Sequence, residues 1–406
     1  MSKRWLCTVG AVLLLTAAFG VYAQEEAPSA GDPARVLQLL SFIPDVEQTR
    51  VNLISYGDIR ASEQLRAGVT AYGSAAEFLA ASADAQALWE AALSVDVNPA
   101  MTIRLRETMQ EMPDRLGFDF FDIDRTMQFR YDVYPVAIVA GRFDIGNMTA
   151  VLRSRGYSAG TNQPPPLEQD ALVWCGSVGC NNGSDRSNAR RNNGNIFGGE
   201  LGQEHPLALF AGRGVIVAGP VYDHVLAAID ASADRTPSLA DAAPYQAVVR
   251  ALEGRGALRS LSFIPKEVLV PPMMAFLMPP PGPNALPDYE IAFIADMVQG
   301  DGQQVALVGL VYASAADADV ASGRLPARLA DDPATALRPS WGAIIAELGG
   351  SVDEVEIATD EAGLTLALMP IVYAAPQAAS TPSGHIYRRL FEAIQGVDLP
   401  WLAAGQ

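Results

Sequence analysis

The chain has 406 residues, of which 50% are apolar, and its 28 Lys and Arg against 46 Asp and Glu give a formal net charge of −18. This acidity argues against nucleic acid as a partner, because phosphates need a basic protein face. It also argues against electrostatic docking on anionic lipid. The apolar content is sufficient for one or two substantial cores.

The first 23 residues have the composition of a secretory signal peptide. Lys3 and Arg4 form a positively charged start, residues 6–19 are an apolar run, and Val21-Tyr22-Ala23 offers small residues for cleavage. The run is shorter than the roughly 20 residues that span a bilayer. We therefore expect cleavage after Ala23, a net charge of −20 and a location in the periplasm or outside the cell. An uncleaved anchor is the alternative, and membrane contact is expected only in that case.

The remaining sequence predicts an α+β fold with two related halves of mostly antiparallel sheet and packed helices. The predicted units are a disordered lead-in, a first half and a second half, at residues 24–34, 35–240 and 257–400. The halves meet near residues 240–256. The pentapeptide LSFIP occurs at Leu40–Pro44 and again at Leu261–Pro265, which suggests a duplication, although so short an identity also arises by chance.

Individual elements follow from residue patterns along the chain. Apolar runs and turn residues predict strands at 51–56, 135–141, 172–174, 207–210, 214–218, 305–311, 355–357 and 364–369. Helical periodicity and capping residues predict helices at 75–93, 99–112, 143–152, 221–231, from 315 onward, and at 385–394. In the third of these helices, Asp144 is expected to cap the first turn.

Two cysteines, Cys175 and Cys180, remain after removal of Cys7 with the signal peptide. In an oxidising compartment an even pair predicts a disulfide, which here would stiffen the Gly/Asn-rich loop 174–206. So short a ring contributes about 2 kcal/mol. The alternative, zinc bound by both cysteines and His205, lacks the four ligands usual in structural zinc sites.

Two acidic stretches are candidates for a cation. Asp119, Asp122 and Asp124 lie in GFDFFDIDR, whose alternation predicts a half-buried strand, with Asp122 and Asp124 on one face. Such a pair could bind a hard cation or act as a general acid. Asp185 lies in an Asn-rich loop whose oxygens could also hold a cation, although its spacing does not match a calcium-binding loop.

A methionine-rich segment between prolines is the most unusual stretch of the chain. It predicts either a buried connector or an exposed apolar surface for a ligand or partner. The candidate contact residues are Met273, Met274, Phe276, Leu277 and Met278.

No catalytic residue and no cofactor is predicted. Gly156–Gly160 matches G-x-S-x-G, but it follows a helix and precedes prolines, so the strand–turn–helix context of a nucleophile is missing. The sequence therefore favours a non-catalytic envelope or secreted protein that binds a small apolar ligand or an envelope protein. The alternatives are a carboxylate-based hydrolase, with or without a cation, and a structural envelope protein.

Overall fold

In the computed structural model the residues that can be described are 29–93, 109–159, 171–176, 180, 205–269, 284–331, 339–375, 381–396 and 399–403. They form an α+β fold whose strands all belong to one antiparallel sheet. No helix among these residues has both the length and the apolar character needed to cross a membrane.

The sheet has 13 strands, with spatial order β11-β13-β10-β9-β8-β1-β2-β3-β7-β6-β5-β4, and β12 also pairs with β13. The strands are β1 Ile54–Asp58, β2 Ile123–Tyr131, β3 Tyr134–Gly141, β4 Ser158–Ala159, β5 Ala171–Cys175, β6 Leu207–Phe210, β7 Val215–Ala218, β8 Ala257–Ile264, β9 Ile291–Val298, β10 Gln304–Tyr312, β11 Gly350–Val352, β12 Glu356–Thr359 and β13 Thr365–Tyr373. The pairing of β1 with β8 joins the strands of the two halves into one sheet.

Thirteen helices are described, and they cover both faces of the sheet. They are α1 Arg35–Leu40, α2 Glu47–Arg50, α3 Ile59–Gln64, α4 Ala75–Ala80, α5 Ala83–Ala92, α6 Met112–Leu116, α7 Ile145–Ser154, α8 Tyr222–Ser232, α9 Ala243–Leu252, α10 Lys266–Leu269, α11 Ala315–Asp331, α12 Trp341–Glu347 and α13 His385–Gln395.

The alternation of side chains along the strands divides the core into three clusters. On one face, Leu261 and Phe263 of β8 pack with α1, α8 and α9. On the other face, the strands of the second half pack under α11, α12 and α13. The strands of the first half pack on that same face under α4 to α7, around Phe78 and Trp89.

Most predicted elements are confirmed. The strand at 135–141, the pair β6–β7, the hairpin β12–β13 and the last helix all form where they are expected. Asp144 caps α7, because its carboxylate accepts a hydrogen bond from the Asn147 amide at 3.0 Å. The helix predicted at 75–93 is two helices, since Ser82 adopts an extended conformation and caps α5.

The two LSFIP segments adopt different structures. Leu40 ends α1 and is followed by a turn, whereas Leu261–Ile264 is the end of strand β8. The shared sequence therefore provides no structural sign of a duplication, because neighbouring residues decide its conformation.

Residues 29–34 correct the prediction of a disordered lead-in. The Gly31 amide donates to the buried carboxylate of Asp58 at 3.1 Å, and the Gly31 carbonyl accepts from the Leu258 amide at 2.7 Å. These long-range hydrogen bonds hold the segment against the ends of β1 and β8. Composition alone does not reveal such anchoring.

A buried ion pair connects the sheet to the start of α13. Arg259 on β8 donates to Asp296 on β9 at 2.7 Å, and the two side chains are 0% and 1% exposed. Arg259 also donates to Gln304, whose side-chain oxygen accepts the Gly384 amide at 3.2 Å. Gly384 has a φ of 62° and lies against the Asp296 carboxylate, so a side chain there would collide with it.

Candidate functional site

The acidic residues predicted as a cation or general-acid site are engaged in local structure. The Asp122 carboxylate accepts from the Asp119 amide at 2.9 Å, and burial raises the pKa of Asp122. The Asp124 carboxylate pairs with Arg60 at 2.8 Å and lies 3.7 Å from Arg142. Asp122 therefore stabilises a turn, while Asp124 forms ion pairs with two arginines.

The strand predicted through Asp119 and Asp122 is wrong in its first part. Residues Phe120–Asp122 form a 3₁₀ turn capped by Asp119, and β2 begins at Ile123. The turn lets Phe120 and Phe121 enter the same aromatic cluster, with ring centroids 5.7 and 5.1 Å from that of Trp89. An alternating strand would have placed these two rings on opposite faces.

Cys175 and Cys180 form the predicted disulfide, with their Cα atoms 4.5 Å apart. His205 is 8% exposed, and burial lowers its pKa to about 4. Among the described residues no group of three His, Cys, Asp or Glu side chains is arranged to hold a metal ion. Asp185 lies outside the described residues. The same is true of the five residues predicted to form an apolar contact surface, which are Met273, Met274, Phe276, Leu277 and Met278.

A pocket of about 740 Å³ opens at one end of the sheet, where β1, β8, β9 and β10 begin or end. Val51 precedes β1, Pro265 follows β8, Ile291 begins β9 and Ala313 follows β10, and all four line the pocket. Neighbouring antiparallel strands run in opposite directions, so these chain positions meet at one edge. The first residues of α2, α9 and α10 and the first turn of α11 complete the wall.

The pocket wall carries an excess of negative charge. Six carboxylates line it, together with two cations, Arg50 and Lys266; the carboxylates belong to Asp45, Glu47, Glu267, Asp288, Glu290 and Asp317. A concave surface with charges of one sign focuses the electrostatic potential and attracts ions of the other sign. Such a wall attracts cations and repels anions on electrostatic grounds.

Both cations are already paired with carboxylates. Arg50 forms a two-point ion pair with Asp45, in which Nη2 lies 2.6 Å from Oδ2, and this pairing raises the pKa of Arg50. The Lys266 ammonium lies 3.1 Å from both oxygens of Asp288. Among the described residues, no cation forms a salt bridge with the other four carboxylates, those of Glu47, Glu267, Glu290 and Asp317, although the charge of Glu290 also acts on Arg50.

Two tyrosines contribute rings to the wall, and their hydroxyls differ. The Tyr289 hydroxyl donates to the Leu402 carbonyl at 2.8 Å. The Tyr245 hydroxyl has no hydrogen-bond partner among the described residues, although the side chain is only 4% exposed. Burial, followed by the charge of Asp45, raises the pKa of Tyr245, so its hydroxyl is neutral at physiological pH.

The described lining contains no serine, threonine, cysteine or histidine. Its chemistry is charge, hydrogen bonding and apolar contact, the set with which a protein binds and orients a small molecule. In comparisons with known proteins, no family model, no curated protein and no solved structure matches the chain.

The sequence interpretation did not identify this pocket. Its carboxylates come from chain positions 45–47, 267, 288–290 and 317, which are brought together only by strand pairing across the whole sheet. The sequence does contain one general sign of an acidic site, the acidity of the whole chain, but the need for solubility explains that acidity equally well. Two lining residues, Lys266 and Asp288, flank the methionine-rich segment in the sequence.

Proposed function

We propose that this protein is an exported, non-catalytic binding protein whose ligand is a small organic cation held in the acid-lined pocket. The observation that carries the proposal is a cavity of about 740 Å³ lined by four carboxylates that form no salt bridge with any cation of the described residues. A cavity of this size is within the range of small-molecule sites. The apolar ligand expected at Met273–Met278 concerns residues outside the described structure, whereas the pocket favours a charged ligand.

Charge sign provides the first test. We expect isothermal titration calorimetry of the mature protein to show binding of 1,4-diaminobutane and no binding of succinate, which has the same chain length and the opposite charge. The affinity should fall as salt is raised, because exposed charges are screened. Binding of both compounds with similar affinity would contradict an electrostatic site.

Two aspartates on α11 provide a matched pair for locating the site. Asp317 lines the pocket, whereas Asp319 is exposed on the same helix and does not line it. Asp317→Asn should weaken diamine binding about fivefold, since a partly screened ion pair is worth about 1 kcal/mol. Asp319→Asn makes the same change in net charge and should leave the affinity unaltered. Equal effects of the two substitutions would refute this location.

Export is the second part of the proposal. The charged start at Lys3 and Arg4, the apolar run and the cleavage residues support it. The Cys175–Cys180 disulfide also supports it, because such bonds persist in oxidising compartments. N-terminal sequencing of protein expressed from the full gene should give a chain that begins at Gln24. A chain that retains residues 1–23 would instead indicate a membrane-tethered protein.

A further inference from the structure

The Tyr245 hydroxyl is placed to contact a ligand inside the pocket. Its ring packs on Phe263 with a centroid distance of 5.0 Å, which fixes the side chain against the core. Asp45, Arg50 and Glu267, whose charges act on this phenol, all line the same pocket. The side chain is 4% exposed, and its hydroxyl, which has no hydrogen-bond partner among the described residues, is left to bond to water or to a ligand. Because it is neutral and surrounded by carboxylates, the hydroxyl suits a ligand that donates hydrogen bonds.

The four carboxylates that form no salt bridge with a described cation belong to four different strand ends, so they do not converge on one point. Glu47 lies on α2, before β1; Glu267 follows β8; Glu290 precedes β9; and Asp317 follows β10. These four strands are consecutive neighbours in the sheet. At about 4.8 Å per strand, their ends span about 14 Å. A single compact cation cannot contact carboxylates at both ends of such a row.

Apolar side chains also line the pocket. The lining includes Val46, Val51, Pro244, Pro265 and Ile291. A lining that combines carboxylates at four strand ends with apolar side chains complements a chain in which ammonium groups alternate with methylene segments.

We propose that the pocket binds a linear polyamine that lies across these four strand ends, with the Tyr245 hydroxyl accepting a hydrogen bond from one of its ammonium N–H groups. The inference rests on the proposed function, because it names the ligand class of the same pocket. It makes two demands that a general cation site does not make: the ligand must be longer than a short diamine, and it must carry N–H donors.

The test uses four probes and isothermal titration calorimetry of the mature protein. The probes are 1,4-diaminobutane, spermidine, spermine and spermidine methylated at every nitrogen to the quaternary state. We expect spermidine and spermine to bind at least tenfold more tightly than 1,4-diaminobutane, because they reach more of the carboxylates. We expect the quaternary analogue to bind more weakly than spermidine, because it has the charge and lacks the N–H donors.

Tyr245→Phe isolates the hydroxyl. The ring and its packing on Phe263 are kept, and no protein hydrogen bond is lost among the described residues, so the thermal midpoint and circular-dichroism spectrum should be unchanged. Spermidine affinity should fall about tenfold, the usual effect of removing a hydrogen bond to a charged group. Affinity for the quaternary analogue should not change. Tyr134→Phe, on β3 outside the pocket lining, is the control and should alter neither affinity.

The outcomes separate this inference from the proposed function. If Asp317→Asn weakens spermidine binding while Tyr245→Phe does not, the hydroxyl contacts only water, and the inference is overturned while the cation site stands. If spermidine binds no more tightly than 1,4-diaminobutane, the extended arrangement of the ligand is overturned. If none of the cations binds, or Asp317→Asn and Asp319→Asn have equal effects, the proposed function fails and the inference fails with it.

Discussion

The buried Arg259–Asp296 ion pair predicts a large loss of stability when one of its two charges is removed. Substituting Asp296→Asn preserves the shape of the side chain and removes only its charge. Arg259 is fully buried and would retain Gln304 as a neutral partner, with no counter-charge at 2.7 Å. Removing one member of a buried pair costs about 3–5 kcal/mol, because the other charge is left uncompensated. We expect a loss of unfolding free energy of this size, with no contribution from a cavity.

Urea unfolding measures this loss. Trp341 and Trp401 lie in the same core cluster as the strands of the second half, so their fluorescence should report its unfolding. Asp319→Asn, at an exposed position on α11, is the control and should change stability by less than about 0.5 kcal/mol. The reasoning is refuted if Asp296→Asn costs no more than this control.

The double substitution Arg259→Met with Asp296→Leu distinguishes charge from packing. It removes both charges and fills their space with apolar groups, a change that is often nearly neutral for buried pairs. We therefore expect the double variant to be more stable than Asp296→Asn alone. A double variant that is less stable than the single one would show that the hydrogen bonds of this cluster, including that from Tyr373 to Asp296 at 3.2 Å, outweigh the charge effect.

Three further predictions concern stability. The stability of the protein should fall by up to about 3 kcal/mol as pH falls from about 6.5 to about 4, because His205 binds a proton in the unfolded chain and, being buried, does not bind one in the folded protein. His205→Gln should abolish this loss, and urea unfolding of both proteins over a series of pH values measures the difference. Replacing Cys175 and Cys180 by serine should lower stability by about 2 kcal/mol, checked by thermal unfolding, with the oxidised and reduced wild type as reference. Gly384→Ala should lower the thermal midpoint strongly, since the residue has a positive φ and its new Cβ would meet the Asp296 carboxylate. Gly302, with a φ of 86° in an open turn, is the control, and Gly302→Ala should show the smaller effect of backbone strain alone.

Elements with local signals could be predicted from the sequence. The cap at Asp144, the hairpin β12–β13 and the amphipathic α13 are encoded by residues close together in the chain. Strands β8 and β9 were not predicted: the register shift between Leu258 and Ser260 interrupts the alternation in β8, and β9 is an almost continuous apolar run, a pattern that does not distinguish a strand from a buried helix. Arg259 and Asp296 in these strands also resemble surface residues until their mutual contact is known.

The candidate site was beyond prediction for a related reason. The disulfide could be inferred from five residues of separation and a compartment, but the pocket depends on pairings between distant segments. Ser55 lies opposite Ser262 on β8, and this register is what brings α2 next to the end of β8. Nothing in the local sequence around Glu47 indicates that Glu267, Glu290 and Asp317 lie along the same row of strand ends.

One wall of the pocket belongs to the long connection between β8 and β9. Strands β8 and β9 are adjacent and antiparallel, with Ile264 opposite Ala292, so a turn of two to five residues would be enough to connect them. The chain instead uses residues 265–290, and the Lys266–Asp288 pair joins the two ends of this connection. Glu267, Tyr289 and Glu290 lie within it. Leu269, Leu286 and Tyr289 of the same connection are buried in the core of the second half, and the Tyr289 hydroxyl donates to the Leu402 carbonyl. The segment therefore supplies both pocket wall and core, so a change of the pocket made here must keep these three side chains in place.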